Sequence, residues 1–268
     1  MRLLVTGASG FIGSAAVEAL SSLFGGALVL MPWKQVMHGS LLSHERRITI
    51  LNKFKPDSVL HLAWQSTNSP MYETNSAHYE WAKATLEFAA ECRNRDIWFL
   101  CAGSAIDNDQ GLLSHLDSSS YLESKRLLRE RFSIMQSQSR MSWLQIQYAF
   151  SVKAMRPRLL RAVVESDIPG NFQPNNPESL HDFIHLDDVA SAISCILSNS
   201  IMGTTTIGTG FLISTSDFVE VIKFRCGHTK ERRPIRAVNS HTVDNRLRSF
   251  NWSPTVSSEF LGIDMRVH

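Results

Sequence analysis

The chain has 268 residues, 43% of them apolar and 19% charged, and its 27 basic and 25 acidic residues leave a net charge of +2. That length supports a large core in one or two domains. The even spread of charge offers no basic face for nucleic acid and no cationic surface for a membrane, so neither is expected as a partner.

The chain opens on a short apolar run, RLLV, that ends in the glycine-rich TGASGFIG and passes into SAAVEALSSLF, which has helical spacing. Residues 3–31 carry a single charge, Glu18, which raises a signal peptide or a membrane span as alternatives. Five glycines and a change from strand-like to helical period argue against both. After Gly25 and Gly26 comes a second apolar run, ALVLM, then a polar helical stretch, SHERRITILNKF, ending near Pro56. SVLHLA reads as a strand, 71–93 as a long helix, IWFLCA as a strand, 121–137 as a helix and WLQIQYAF as a strand. Strands alternate with helices, and the strands are continuous apolar runs. This predicts an α/β fold, a doubly wound parallel Rossmann sheet covered on both faces, with a small C-terminal substrate-binding region.

Beyond residue 150 the rhythm loosens. Prolines stand at 157, 169, 174 and 177, PGNFQPNNPES reads as a loop, STSDFVEVIKF as a capped helix, and the last thirty residues as irregular and polar. The expected division is a dinucleotide-binding domain over 1–150, rejoined by about 184–210, and a small substrate-binding region over 151–268. Cys92, Cys101, Cys195 and Cys226 are scattered, without paired spacing. No metal site and no disulfide framework is expected, and a reducing cytoplasm suits the chain.

Gly7, Gly10 and Gly13 lie between the first strand and the first helix. Backbone N–H groups and the positive helix end hold a diphosphate at such a turn, and a Cβ would block the turn, the phosphate or the helix–sheet contact. The second strand ends at Met31, Pro32 and Trp33, followed by Lys34, where an NAD site usually carries an acid. A missing carboxylate and a cation favour the 2′-phosphate of NADP(H), with NAD(H) the alternative. Against this, Lys34 is equally a solvent lysine, and Trp33 either stacks on adenine or covers the sheet edge.

In YLESK, Tyr121 and Lys125 are four residues apart, one helical turn, and so share a face. An ammonium near a phenol favours the phenolate and suits the phenol to proton transfer.

These segments together resemble the extended short-chain dehydrogenase/reductase superfamily, in particular the NAD-dependent epimerase/dehydratase family that acts on nucleotide sugars. TGASGFIG is similar to the family's coenzyme loop, which puts Ser9, Phe11 and Ile12 beside the coenzyme with the glycines. PDSVLHLA resembles a strand whose Leu62 and Ala63 line the coenzyme, and FLCAGS one that ends in a catalytic serine, here Ser104. YLESKRLLRERF fits the YxxxK helix, HDFIHLDDVASAI the RDFIHVDDVA segment, and FNWSPTVSSEF the LGWxPxxSLEEG tail. The resemblance implies that Tyr121 exchanges a proton with a sugar oxygen, that Lys125 also binds the nicotinamide ribose, and that Ser104 orients the oxygen. It further implies a homodimer through helices 71–93 and 121–137, the alternative being that their apolar residues all face the sheet.

Several positions depart from the pattern. Ala105 and Ile106 stand where dehydratases place an Asp-Glu pair, which disfavours dehydration. Gln145 replaces an arginine, Tyr148 a substrate-facing asparagine, Ser151 a glycine, and His181 the arginine that often binds pyrophosphate. Arg156, Arg158, Arg161, Arg232, Arg233 and Arg236 are substitutes for it, each also readable as a surface charge. Trp64 replaces a small residue and either narrows the pocket or joins the core. Asp187 or Asp188 reads as a helix N-cap rather than a metal ligand. KQVMHGSLLS is too short for the strand–helix pair that usually precedes HLA, an economy similar to the NADPH-dependent 4-ketoreductases of deoxysugar pathways. The expected activity is reduction of a 4-keto group on a nucleotide sugar. The rivals are an epimerase whose coenzyme is not consumed and a coenzyme-binding regulator without catalysis.

Overall fold

The computed structural model describes residues 1–30, 40–65, 74–105, 119–137, 139–155, 158–166, 172–231, 234–240, 243–263 and 265. By internal contacts the chain forms two units, residues 1–145 with 196–205, and 146–195 with 206–268.

The first unit is built on β1 (Leu3–Thr6), α1 (Phe11–Phe24), β2 (Leu28–Leu30), α2 (His44–Phe54), β3 (Ser58–His61), α3 (Ala77–Asn94), β4 (Trp98–Ser104), α4 (Ser120–Gln136) and β5 (Met141–Ile146). With β9 (Gly203–Ile207) the strands form a six-stranded sheet in the order β2-β1-β3-β4-β5-β9. The pairs β1–β2, β1–β3 and β3–β4 are parallel. Leu3, Leu4 and Val5 of β1 and Trp98, Phe99 and Leu100 of β4 are all fully buried, the consequence of helices on both faces of a parallel sheet. This is the doubly wound α/β fold that the strand–helix alternation predicts. Only a 3-10 turn at Ser40–Leu42 precedes α2 among the described residues between β2 and β3, and β1 and β3 are direct neighbours. The strand order reverses there, with β2 on one side of β1 and β3 on the other. The carboxyl ends of β1 and β3 therefore flank the crevice in which open α/β sheets bind ligands.

Local chemistry sets the helix starts. Ser43 and Ser119 are in extended backbone, and their hydroxyls accept from the N–H of Arg46 and Leu122, three residues on. The long helix starts at Ala77, later than position 71, with the Asn75 side chain accepting from the Ala77 N–H at 3.0 Å. A core of Val59, Phe88, Phe99, Phe132 and Trp143 joins the sheet to these helices.

The second unit holds β6 (Tyr148–Phe150), α5 (Arg158–Val164), β7 (Leu180–His181), β8 (Phe183–His185), most of α6 (Leu186–Ser198), β10 (Phe211–Ser214), α7 (Thr215–Arg225), β11 (Val238–Asn239), α8 (Asn245–Ser249) and α9 (Thr255–Leu261). β6 pairs with β8 in parallel, and β10 pairs with β7 and β11 antiparallel. Two expectations need correction. WLQIQYAF is not one strand: β5 ends at Ile146, Gln147 still donates its N–H to Ile207 of β9, and Tyr148 then donates to Asp182, where β6 joins a separate sheet. The last thirty residues are not irregular throughout, because Asp244 caps α8 and Asp188 caps α9.

Candidate active site

The turn after β1 is closed by Gly10 donating its N–H to the Gly7 carbonyl at 2.9 Å. Gly7 has φ +71°, and a Cβ there would lie 2.6 Å from both the Leu62 carbonyl carbon and the Ala63 nitrogen. A Cβ on Gly13 would lie 2.0 Å from the Gly7 oxygen. The absent side chains thus let β1, the end of β3 and the start of α1 approach one another. Gly10 is the extended N-cap of α1, without a side-chain cap, and Ser9 and Gly10 are exposed. Phe11 and Ile12 are already helical and half-buried. Leu62 donates its N–H to Thr6 at 3.2 Å, so the sequence-predicted Leu62 and Ala63 do sit against the glycine turn. Trp33 and Lys34 lie outside the described residues.

Beneath the turn, His61 is fully buried; its Nδ1 is 2.8 Å from Thr6 Oγ1 and its Nε2 is 3.1 Å from Thr85 Oγ1. Burial first, then the nearby Lys125 and Arg47 charges, holds its pKa down to about 3, so the ring is neutral at pH 7.

Tyr121 lies in the first turn of α4 and Lys125 one turn later. Lys125 is 6% exposed, and its Nζ donates to the Ala102 carbonyl of β4 at 3.4 Å, two residues before Ser104. Ser104 ends β4 and is half-buried. The same Nζ sits 3.7 Å from the centre of the Trp64 ring. Trp64 meets the Tyr121 ring edge-on at 6.4 Å between centroids and lies nearly parallel to His78, with centroids 6.0 Å apart and 10° between planes. Trp64 Nε1 donates to His78 Nδ1 at 3.2 Å, and His78 meets Tyr121 edge-on at 5.2 Å. Trp64 is therefore not simply core: it is half-buried and stands against both sequence-predicted residues. Ala105 is described and Ile106 is not.

In the second unit, Tyr148 and His181 come together with ring centroids 4.1 Å apart, beside Phe183. Arg236 is exposed in the stretch before β11. Arg161 pairs with Glu165 at 3.8 Å, and Arg156, Arg232 and Arg233 lie outside the described residues. Asp188 does not serve its own helix. Its carboxylate accepts from the Val256 and Ser257 N–H groups and the Ser257 hydroxyl, which ties the FNWSPTVSSEF tail to the HDFIHLDDVA segment.

Two participants escaped the sequence reading. His61 stands in HLA itself, where a polar residue inside an apolar run is the visible signal. His78 carries no local signal, because its partners are Trp64, fourteen residues earlier, and Tyr121 on another helix.

A parallel α/β sheet with a glycine turn at its switch point and a tyrosine–lysine helix beside it defines a dinucleotide-binding type of fold. The chain belongs to the NAD dependent epimerase/dehydratase family, whose model matches residues 3–208. Comparison with curated protein sequences gives no match. Among solved structures, the chain is similar to UDP-glucose 4-epimerase of Thermus thermophilus in complex with NAD, at 20% identity and TM-score 0.69, over 95% of this chain and 94% of that one. It is similar to UDP-N-acetylglucosamine 4-epimerase of Bacillus cereus at 16% identity and TM-score 0.71, over 100% and 98%. It is similar as well to the GDP-mannoheptose C4 reductase of Campylobacter jejuni with NADP bound, at 18% identity and TM-score 0.69, over 94% and 92%.

Proposed function

We propose that the chain is an NADP(H)-preferring oxidoreductase that reduces the 4-keto group of a nucleotide-linked sugar, with Tyr121 as proton donor. The observation that carries this reading is the placement of Lys125. One residue holds the Ala102 carbonyl of β4, two residues before Ser104, and it stands one helical turn from Tyr121. This supports a site at the carboxyl end of the sheet in which Lys125, Tyr121 and Ser104 bind and protonate a carbonyl oxygen.

The glycine turn fits a dinucleotide: it leaves no Cβ between the two strand ends and presents the uncapped N-terminus of α1 to a diphosphate. Gly7, Ser9, Gly10, Phe11, Ile12, Gly13, Leu62 and Ala63 would hold the coenzyme, with Lys34 and Trp33 at the adenosine end. A bound nicotinamide supplies hydride to the carbonyl carbon. Tyr121 gives its hydroxyl proton to the carbonyl oxygen, Ser104 donates a hydrogen bond to the same oxygen, and the Lys125 ammonium favours the tyrosinate left behind. Trp64, Tyr148, His181 and Arg236 are the proposed substrate contacts, the last three from a substrate-binding region in the second half of the chain. A homodimer through α3 and α4 is supported by exposed Leu127 and Ile134, one heptad apart on α4, and a cytoplasmic location by cysteines scattered without paired spacing.

The second reading, an epimerase, uses the same residues and is supported by the likeness to the two 4-epimerases. The experiment that separates them follows nicotinamide absorbance with NADPH and then NADH over a panel of nucleotide-linked 4-keto-6-deoxysugars, with products read by mass spectrometry. Stoichiometric NADPH loss and a product heavier by one hydride and one proton support the reductase. A new isomer without coenzyme loss supports the epimerase, and no change with any sugar counts against both for that panel.

A further inference from the structure

We propose that Trp64 and His78 act as one positioning unit for the Tyr121–Lys125 pair, the indole face seating the lysine ammonium and His78 fixing the plane of the indole. The inference rests on the coenzyme-binding reading of Lys125 above. An indole N–H is a donor only, so its bond to His78 Nδ1 requires that nitrogen to be an acceptor. His78 is completely buried, and in its neutral form the proton then resides on Nε2. The ring lies nearly parallel to the indole, 10° between planes, and meets Tyr121 edge-on. Trp64 consequently has little freedom to rotate, and its π-face is presented to Lys125 Nζ at 3.7 Å. The attraction of an ammonium to an indole face is strongest when both are shielded from water, and Lys125 is buried. The Ala102 carbonyl accepts a hydrogen bond from the ammonium. Ring and carbonyl together restrict the directions left for the remaining donors, and the unit orients Lys125 before any coenzyme arrives.

The test compares ligands that do and do not reach Lys125. Dissociation constants for NADPH and NADH are measured by calorimetry beside those for ADP and its 2′-phosphate, which keep the diphosphate and lack the nicotinamide riboside. Trp64→Leu is expected to weaken NADPH or NADH by about tenfold, and to leave the ADP ligands within about twofold of the parent. Trp64→Phe keeps a ring face and loses the N–H, and His78→Phe keeps the edge against Tyr121 and loses the acceptor. Each is expected to give a smaller loss of the same selectivity, about threefold, and they serve if the leucine variant does not fold. In a Lys125→Met background the Trp64→Leu change is expected to have no further effect, within about twofold. Equal weakening of both ligand classes, no weakening, or an undiminished effect without Lys125 overturns the positioning role. A parent chain that binds none of the four ligands overturns the coenzyme reading itself, and this inference with it.

Discussion

Gly7→Ala places a methyl group where the structure has no room and the backbone has the wrong hand. At φ +71° an L-residue costs about 1–2 kcal/mol relative to glycine. The new Cβ would lie 2.6 Å from Ala63 N and from the Leu62 carbonyl carbon, and 2.8 Å from Ala63 Cα. All three are backbone atoms at the end of β3, so no side-chain rotation relieves the clash, and β1 and β3 must separate. Overpacking of this kind adds about 1–3 kcal/mol, for a total of about 2–5 kcal/mol. Urea unfolding followed by tryptophan fluorescence gives the stability change, and calorimetric titration with NADPH gives the binding change. We expect a lower midpoint and loss of measurable coenzyme binding. Gly26→Ala is the control, since a Cβ there meets nothing within 4 Å and the change is expected to stay within about 0.5 kcal/mol. If Gly7→Ala unfolds with the Gly26→Ala variant and binds NADPH as the parent does, the argument from the turn geometry is wrong.

Tyr121→Phe removes the proposed proton donor and keeps the ring that packs against Trp64 and His78, so kcat is expected to fall about 10²–10⁴-fold with the melting temperature little changed. His61 gives a pH signature. Its folded pKa of about 3 lies below the unfolded value of 6.5, so between those limits the unfolded chain binds the extra proton and stability falls as pH falls. The slope is about 1.4 kcal/mol per pH unit, and His61→Gln is expected to flatten the parent's acid limb by that amount in unfolding curves between pH 6.5 and 4; parallel curves contradict it. Asp188→Ala leaves the Val256 and Ser257 N–H groups without their carboxylate and is expected to cost about 1–3 kcal/mol in denaturant unfolding, with hydrogen exchange rising first in α9.

The first half of the fold is legible because its signals are local. The apolar run, glycine turn and helix at residues 3–24 occupy adjacent positions, and the spacing of Tyr121 and Lys125 is set by a single helical turn. Among the described residues, the sheet order places β3 directly beside β1. What was not legible depends on distant partners. β5 ends at Ile146 and β6 begins at Tyr148, whose N–H goes to the distant Asp182. Asp188 reads as the cap of its own helix and instead caps one nearly seventy residues later. Trp64 could be placed in the core or the pocket from sequence; only the positions of His78 and Lys125 show that its N–H serves one neighbour and its ring face the other.

The central claim is that hydride comes from consumed coenzyme while a proton comes through Tyr121. The most direct measurement supplies NADPH carrying deuterium at the transferred position of the nicotinamide, together with a nucleotide-linked 4-keto-6-deoxysugar, and locates the label by mass spectrometry and NMR. The account predicts deuterium on C4 of the sugar, one per NADPH oxidised, a hydroxyl proton from solvent, and no transfer in Tyr121→Phe. A sugar isomer that carries no deuterium, formed while the NADPH remains intact, would contradict it.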